Sequence, residues 1–130
     1  MKITNVIPIL RSFDETKARE FYVDFLGFTV TFEHRFEADT PLYLGVALGG
    51  AELHLSEHHG DVSPGSTVRL EIDNIDEFHA GLVAKKYKYA RPGLQDQPWG
   101  FREVSIADPF GNRIVFCQPL QSIIALRENR

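Results

Sequence analysis

The sequence predicts an α+β fold of two tandem βαβββ modules, and three observations carry that prediction. The order strand, helix, three strands is legible twice, offset by about 60 residues. Two stretches place their apolar residues at helical spacing, while the stretches around them alternate apolar and polar residues, the mark of half-buried strands. A linker of turn-forming residues separates the copies.

In chain order, the first strand spans residues 3–10. A helix follows over residues 12–27, where Ala18, Phe21, Tyr22, Phe25 and Leu26 form one stripe. Ser12 or Asp14 can cap its start, and Gly27 suits the left-handed position past its last turn. Strands at 28–36, 42–48 and 51–56 complete the first module, residues 1–57. Gly49-Gly50 fits a tight hairpin between the last two, because both glycines can take positive φ. Residues 58–66 are the linker, and the second module, residues 67–118, opens with a strand at 67–72. Its helix starts near Asp73-Asn74 and carries Ile75, Phe78, Leu82 and Val83 on or beside one face. It ends near Lys85-Lys86, cations that suit the negative end of the helix dipole. Strands at 87–90, 102–107 and 113–118 follow, and residues 119–130 form a tail. Two such modules are expected to pack into one shared domain.

Alternation assigns the faces. Leu53 and Leu55 interleave with Glu52, His54 and Ser56; Val68, Leu70 and Ile72 with Thr67, Arg69 and Glu71; Val104 and Ile106 with Glu103 and Ser105. Neighbouring side chains of a strand point to opposite faces, so the aliphatic set is expected under the helices. The other face then carries Glu52, His54, Arg69, Glu71 and Glu103. Charges are too costly to bury dry, so this face is expected to be wet or to meet a polar ligand.

Hydrophobic residues at 43% and charged residues at 25% fit a soluble globular domain. Fourteen basic against eighteen acidic side chains give −4, which argues against a nucleic-acid partner, since that needs a positive field. The single cysteine, Cys117, excludes an intramolecular disulfide and a cysteine-based zinc cluster, and with no activating neighbour it reads as a buried, inert thiol. No apolar stretch approaches the roughly 20 residues that span a bilayer, and residues 1–5 show no signal-peptide profile. A cytoplasmic protein without a membrane partner is expected. No phosphate loop, nucleophile elbow or paired-carboxylate spacing is present, and His34, His58, His59 and His79 read as surface or rim residues.

The element order, a helix ending Phe25-Leu26-Gly27-Phe28 and the hairpin Asp108-Pro109-Phe110-Gly111-Asn112-Arg113-Ile114-Val115-Phe116 together resemble the glyoxalase/bleomycin-resistance superfamily, also called vicinal oxygen chelate. The resemblance covers residues 3–118. Within it, Asp96-Gln97-Pro98-Trp99-Gly100-Phe101-Arg102-Glu103, Val6-Ile7-Pro8-Ile9-Leu10 and Val62-Ser63-Pro64 are similar to the bleomycin resistance proteins in particular. The resemblance implies a curved mixed sheet with helices on its convex face. Enzymes of the superfamily hold a divalent metal with one side chain from each of four strands. Those places fall on Ile7, His54, Thr67 and Val115, of which only His54 ligates well. The resemblance therefore implies a protein without metal, cofactor or catalytic residue, like the resistance proteins.

It also implies a ligand site. In the resistance proteins, strand phenylalanines and the tryptophan of a Pro-Trp-Gly turn line a dimer-interface cleft and stack on the flat rings of the drug. Phe32, Phe36 and Trp99 hold those places, with Phe101, His54, Arg69, Glu71 and Glu103 as further candidate ligand-binding residues. Stacking of a planar ring adds about 0.5–1.5 kcal/mol beyond burial. Arg69 and Glu71 stand where a resistance protein can show tryptophan, a departure that bears on drug identity. Pro8 falls at the hinge where the N-terminal strand of a resistance protein crosses to its partner subunit, which implies a strand-exchanged homodimer. The expected function is to sequester a bleomycin-type glycopeptide antibiotic, or a related cationic aromatic ligand, without turnover. Two alternatives stay open: a metalloenzyme of the superfamily with substituted ligands and His54 as its anchor, and a small-molecule-binding module with no role in resistance.

Overall fold

Alternating apolar residues pair into two separate four-stranded mixed sheets in the computed structural model, which describes residues 1–128. The chain divides into two units, residues 1–66 with Asp108–Asn112, and residues 67–107 with 113 onward.

In the first unit β1 (Ile9–Arg11), β2 (Thr29–His34), β3 (Tyr43–Leu48) and β4 (Ala51–Ser56) lie in the order β1-β4-β3-β2. β1 runs parallel to β4, and the other pairs are antiparallel. Helix α1 (Glu15–Ala18) is capped by Asp14, whose side chain accepts from the Lys17 N–H at 2.9 Å, and continues as a π-wound stretch over Arg19–Phe25. The wider winding shows in the Leu26 N–H bonding the Phe21 carbonyl five residues back. The expected stripe is buried in full: Ala18, Phe21, Tyr22, Phe25 and Leu26 pack with Leu10, Leu44, Val46, Leu53 and Leu55 in the core. Each large side chain so buried contributes on the order of 1.5–3 kcal/mol. Gly27 and the Gly49-Gly50 turn all take positive φ, as their positions predict.

Residues 108–112 join this unit through polar bonds. Asp108 Oδ1 accepts from the Phe110 and Asn112 N–H groups, and Oδ2 accepts from Asn112 Nδ2 at 2.8 Å and from the Tyr22 hydroxyl at 2.6 Å. Residues of the expected linker are held by Arg11, a buried guanidinium that donates to the carbonyls of Val62 and His58.

In the second unit β5 (Thr67–Glu71), β6 (Gln95–Asp96), β7 (Phe101–Ala107) and β8 (Arg113–Pro119) lie in the order β5-β8-β7-β6, with β5 parallel to β8. Helix α2 (Ile75–Ala84) buries Ile75 and Leu82 and sets Phe78 against Phe116, ring centroids 4.3 Å apart. Its first N–H finds Gln118: the Oε1 of that side chain accepts from the Ile75 N–H at 3.0 Å, and Asn74 makes no side-chain cap.

Several expectations need correction. The first strand starts at Ile9, not at residue 3, so Pro8 precedes it and Ile3, Val6 and Ile7 are exposed. Strand β2 ends at His34, leaving Phe36 in the following bend. Residues 87–90 form no strand; the edge position is taken by the two residues of β6. Val83 is exposed, Val68 and Leu70 on the edge strand β5 are only half-buried, and so is Ile72 just after it. The tail carries helix α3 (Leu120–Glu128). Among the described residues no helix is long and apolar enough to cross a membrane.

Candidate functional site

On the first sheet, register brings Phe32, Gly45, His54 and Ile9 into one cross-strand row. A β-bulge sets this up. Val30 pairs with the buried Val46, Phe32 pairs with Gly45, and Thr31 is the extra residue between them. An unbroken strand would keep Val30 and Phe32 on one face; the bulge turns Phe32 onto the face opposite the core. There its ring lies directly over Gly45, where a Cβ would collide with the ring and with Thr31 Oγ1. The ring stacks beside Tyr43 at 6.0 Å and meets His54 edge-on at 5.0 Å. Tyr43 Oη and His54 Nδ1 are 2.8 Å apart, while His54 Nε2 is shielded and has no hydrogen-bond partner. The nearest carboxylate oxygen, Glu52 Oε1, stands 3.8 Å from it. Phe36 is 76% exposed and contacts the rings of His34 and His58 instead of Phe32.

On the second sheet, Glu71, Cys117, Glu103 and Gln95 share one row. Glu103 is buried, against the expectation of a uniformly wet face. It is compensated: Oε2 accepts from Arg69 Nη2 at 2.7 Å and from the Trp99 indole N–H at 2.9 Å. Burial pushes its carboxyl up, but the bonds from Arg69 and Trp99 and the Arg69 charge outweigh that, so the group ionises below its ordinary value. Arg69 also lies over the Phe101 ring at 5.4 Å. Trp99 sits in the turn before β7, where Gly100 takes φ +91°, and the residue is 60% exposed. Glu71 is exposed, and its side chain makes no hydrogen bond or ion pair among the described residues. Burial raises the Cys117 thiol above its ordinary value.

Thus the structure joins Arg69, Glu103, Trp99 and Phe101 in one cluster, and Phe32 with His54 in another. Sequence reasoning missed Tyr43 and Gly45. A glycine inside an apolar strand is itself a sign of close approach, and Gly45 carried that sign.

The superfamily's metal fits poorly. His54 already spends Nδ1 on Tyr43, Ile7 and Val115 offer no donor atom, and Thr67 offers only a hydroxyl. Among the described residues no three His, Cys, Asp or Glu side chains converge. A divalent ion needs several such donors.

A family model described as glyoxalase superfamily protein matches residues 1–122. A bleomycin resistance protein from Geobacillus stearothermophilus is 25% identical, with 89% of this chain and 97% of the relative covered. Among solved structures, TnmS3, an antibiotic-binding protein from Streptomyces sp. CB03234, is 30% identical with a TM-score of 0.72, covering 92% of this chain and 98% of that one. The bleomycin-binding protein from bleomycin-producing Streptomyces verticillus, complexed with copper(II)-bleomycin, is 27% identical with a TM-score of 0.65, covering 89% and 96%. With the fold and a family match running nearly end to end, the chain belongs to the glyoxalase superfamily.

Proposed function

We propose that this chain is an antibiotic-binding protein that sequesters a bleomycin-type glycopeptide, or a related planar aromatic drug, without turnover. The observation that carries the reading is Trp99: a large aromatic residue, 60% exposed, is held through its indole N–H by a buried carboxylate. Exposed tryptophan is costly to leave in water, and holding it rigid cuts the entropy lost on stacking a ligand. The bleomycin resistance relatives and the bleomycin-binding structure support the ligand class. Phe32, Phe36, His54, Arg69, Glu71, Phe101 and Glu103 complete the proposed ligand-binding set. The reading needs no catalytic residue, metal or cofactor, and places the protein in the cytoplasm.

The proposed assembly is a homodimer with a ligand cleft at the interface and N-terminal strands exchanged about Pro8. Residues before Pro8 support it: Ile3, Val6 and Ile7 are exposed apolar side chains on a segment outside the sheet, and a partner's sheet edge would cover them. Isothermal titration with bleomycin, metal-free and copper-bound, tests the ligand. Sedimentation tests the assembly, and a monomer at micromolar concentration rejects it.

Arg69 and Glu71 favour a second reading, a binding module for a zwitterionic metabolite. Both are exposed, two residues apart on one face of an edge strand. Heat with small zwitterionic aromatics and none with bleomycin would select it.

A further inference from the structure

The seat under Phe32 carries an inference about what the ligand must look like; it rests on the antibiotic-binding reading above and departs from it at one residue, Phe32, taken here as the ring that yields its place to the ligand rather than one that stacks on it. We propose that in the free protein the Phe32 ring occupies the place of the ligand's own planar ring, over Gly45 and beside Tyr43 and His54, and that the ligand displaces it and bonds His54 Nε2.

Three features make Phe32 a placeholder rather than a fixed wall. First, the space it fills exists because Gly45 has no side chain; any other residue there would collide with the ring. The sheet face is thus bare backbone at that point, and the ring lies directly on it. Second, Phe32 is held lightly. It lies on the edge strand β2 next to the bulge at Thr31, is 40% exposed, and takes no part in the buried core, so it can leave without opening a cavity there. Third, something beside the seat is unsatisfied. His54 Nε2 is shielded from water and makes no hydrogen bond, with Glu52 Oε1 too far for one at 3.8 Å, although Nδ1 of the same ring is bonded to Tyr43. Native proteins rarely leave such an atom unpaired, and each exception calls for a physical explanation.

The ligand chemistry follows. If the Tyr43 hydroxyl donates to Nδ1, Nε2 carries the proton and seeks a carbonyl or a ring nitrogen. If Nδ1 donates to Tyr43, Nε2 seeks an N–H or O–H. In either tautomer the matching ligand is a planar heteroaromatic or amide-bearing ring with its polar group at the edge. A plain hydrocarbon ring would stack on Tyr43 and leave the imidazole unpaired, and sites built around a buried polar group discriminate strongly against such analogues.

The test compares the full-length wild type with Phe32→Ala and Phe32→Leu by calorimetric titration with metal-free bleomycin, and follows the His54 imidazole nitrogens by 15N NMR. Removing the competing ring should tighten binding at least threefold in Phe32→Ala, with Phe32→Leu between it and the wild type. The Nε2 resonance should move on saturation. Weaker or unchanged binding by both variants overturns the proposal, because Phe32 is then a stacking wall or a bystander; an unmoved Nε2 resonance overturns the contact to His54. In those cases wild-type heat still upholds the antibiotic-binding reading. Absence of heat from folded wild type removes that reading and this inference together.

Discussion

The indole N–H of Trp99 and Nη2 of Arg69 converge on one oxygen, Glu103 Oε2, at 2.9 and 2.7 Å. One buried carboxylate therefore aims an exposed aromatic ring and pins the cation that lies over Phe101. Glu103→Gln keeps an acceptor but loses the charge, and a hydrogen bond to a charged group contributes about 1.5–3 kcal/mol. The expected outcome is a loss of about 1–3 kcal/mol in urea unfolding, with lower fluorescence anisotropy of Trp99. An unchanged anisotropy would mean that Glu103 does not orient the indole.

The same contact has a pH signature. Glu103 ionises below the ordinary glutamate value of about 4.3, so its contribution to stability is present above that pH. It is lost as pH falls through the depressed folded-state value. Unfolding midpoints between about pH 5 and pH 3 should therefore fall less steeply in Glu103→Gln than in the wild type. Parallel acid limbs would contradict the pairing.

Gly45 should be intolerant of a single methyl group. Gly45→Ala drives a Cβ into the Phe32 ring and Thr31 Oγ1, and overpacking of this kind costs about 1–3 kcal/mol. Because the ring is one of the two obstacles, the cost should shrink in a Phe32→Ala background. Additive losses in the double-mutant cycle would show that the two residues do not touch.

Asp108 collects four donors and is buried, so its removal should be among the most damaging single changes. Asp108→Ala is expected to cost more than about 3 kcal/mol, since it strands several buried donors at once. Tyr22→Phe removes a single hydroxyl and should cost about 1–3 kcal/mol. Chemical denaturation of both variants checks the ranking, and a costlier Tyr22→Phe would reverse it.

What could be read from the chain divides along a physical line. The stripe of Ala18, Phe21, Tyr22, Phe25 and Leu26 and the Gly49-Gly50 turn were legible because their signals lie within a few neighbouring residues. The face of Phe32 was not, because it depends on one unpaired residue, Thr31, in a register that only the partner strand defines. Glu103 was placed on the correct strand and face, yet its partners come from β5 and from the turn before β7, so its burial could not be anticipated from alternation. Helix α3 was passed over as a tail: it buries only Ile123, and the exposed Ile124 and Leu126 leave little amphipathic pattern to read.

The measurement that bears most directly on the central claim is titration of the folded protein with bleomycin while following Trp99, the only tryptophan. Saturable quenching with measurable heat is expected, and Trp99→Ala should lose about 1–3 kcal/mol of binding, by analogy with bases stacked on aromatic side chains, while the fold stays intact. Absence of both quenching and heat at high micromolar bleomycin, from protein shown to be folded, would contradict the antibiotic-binding account.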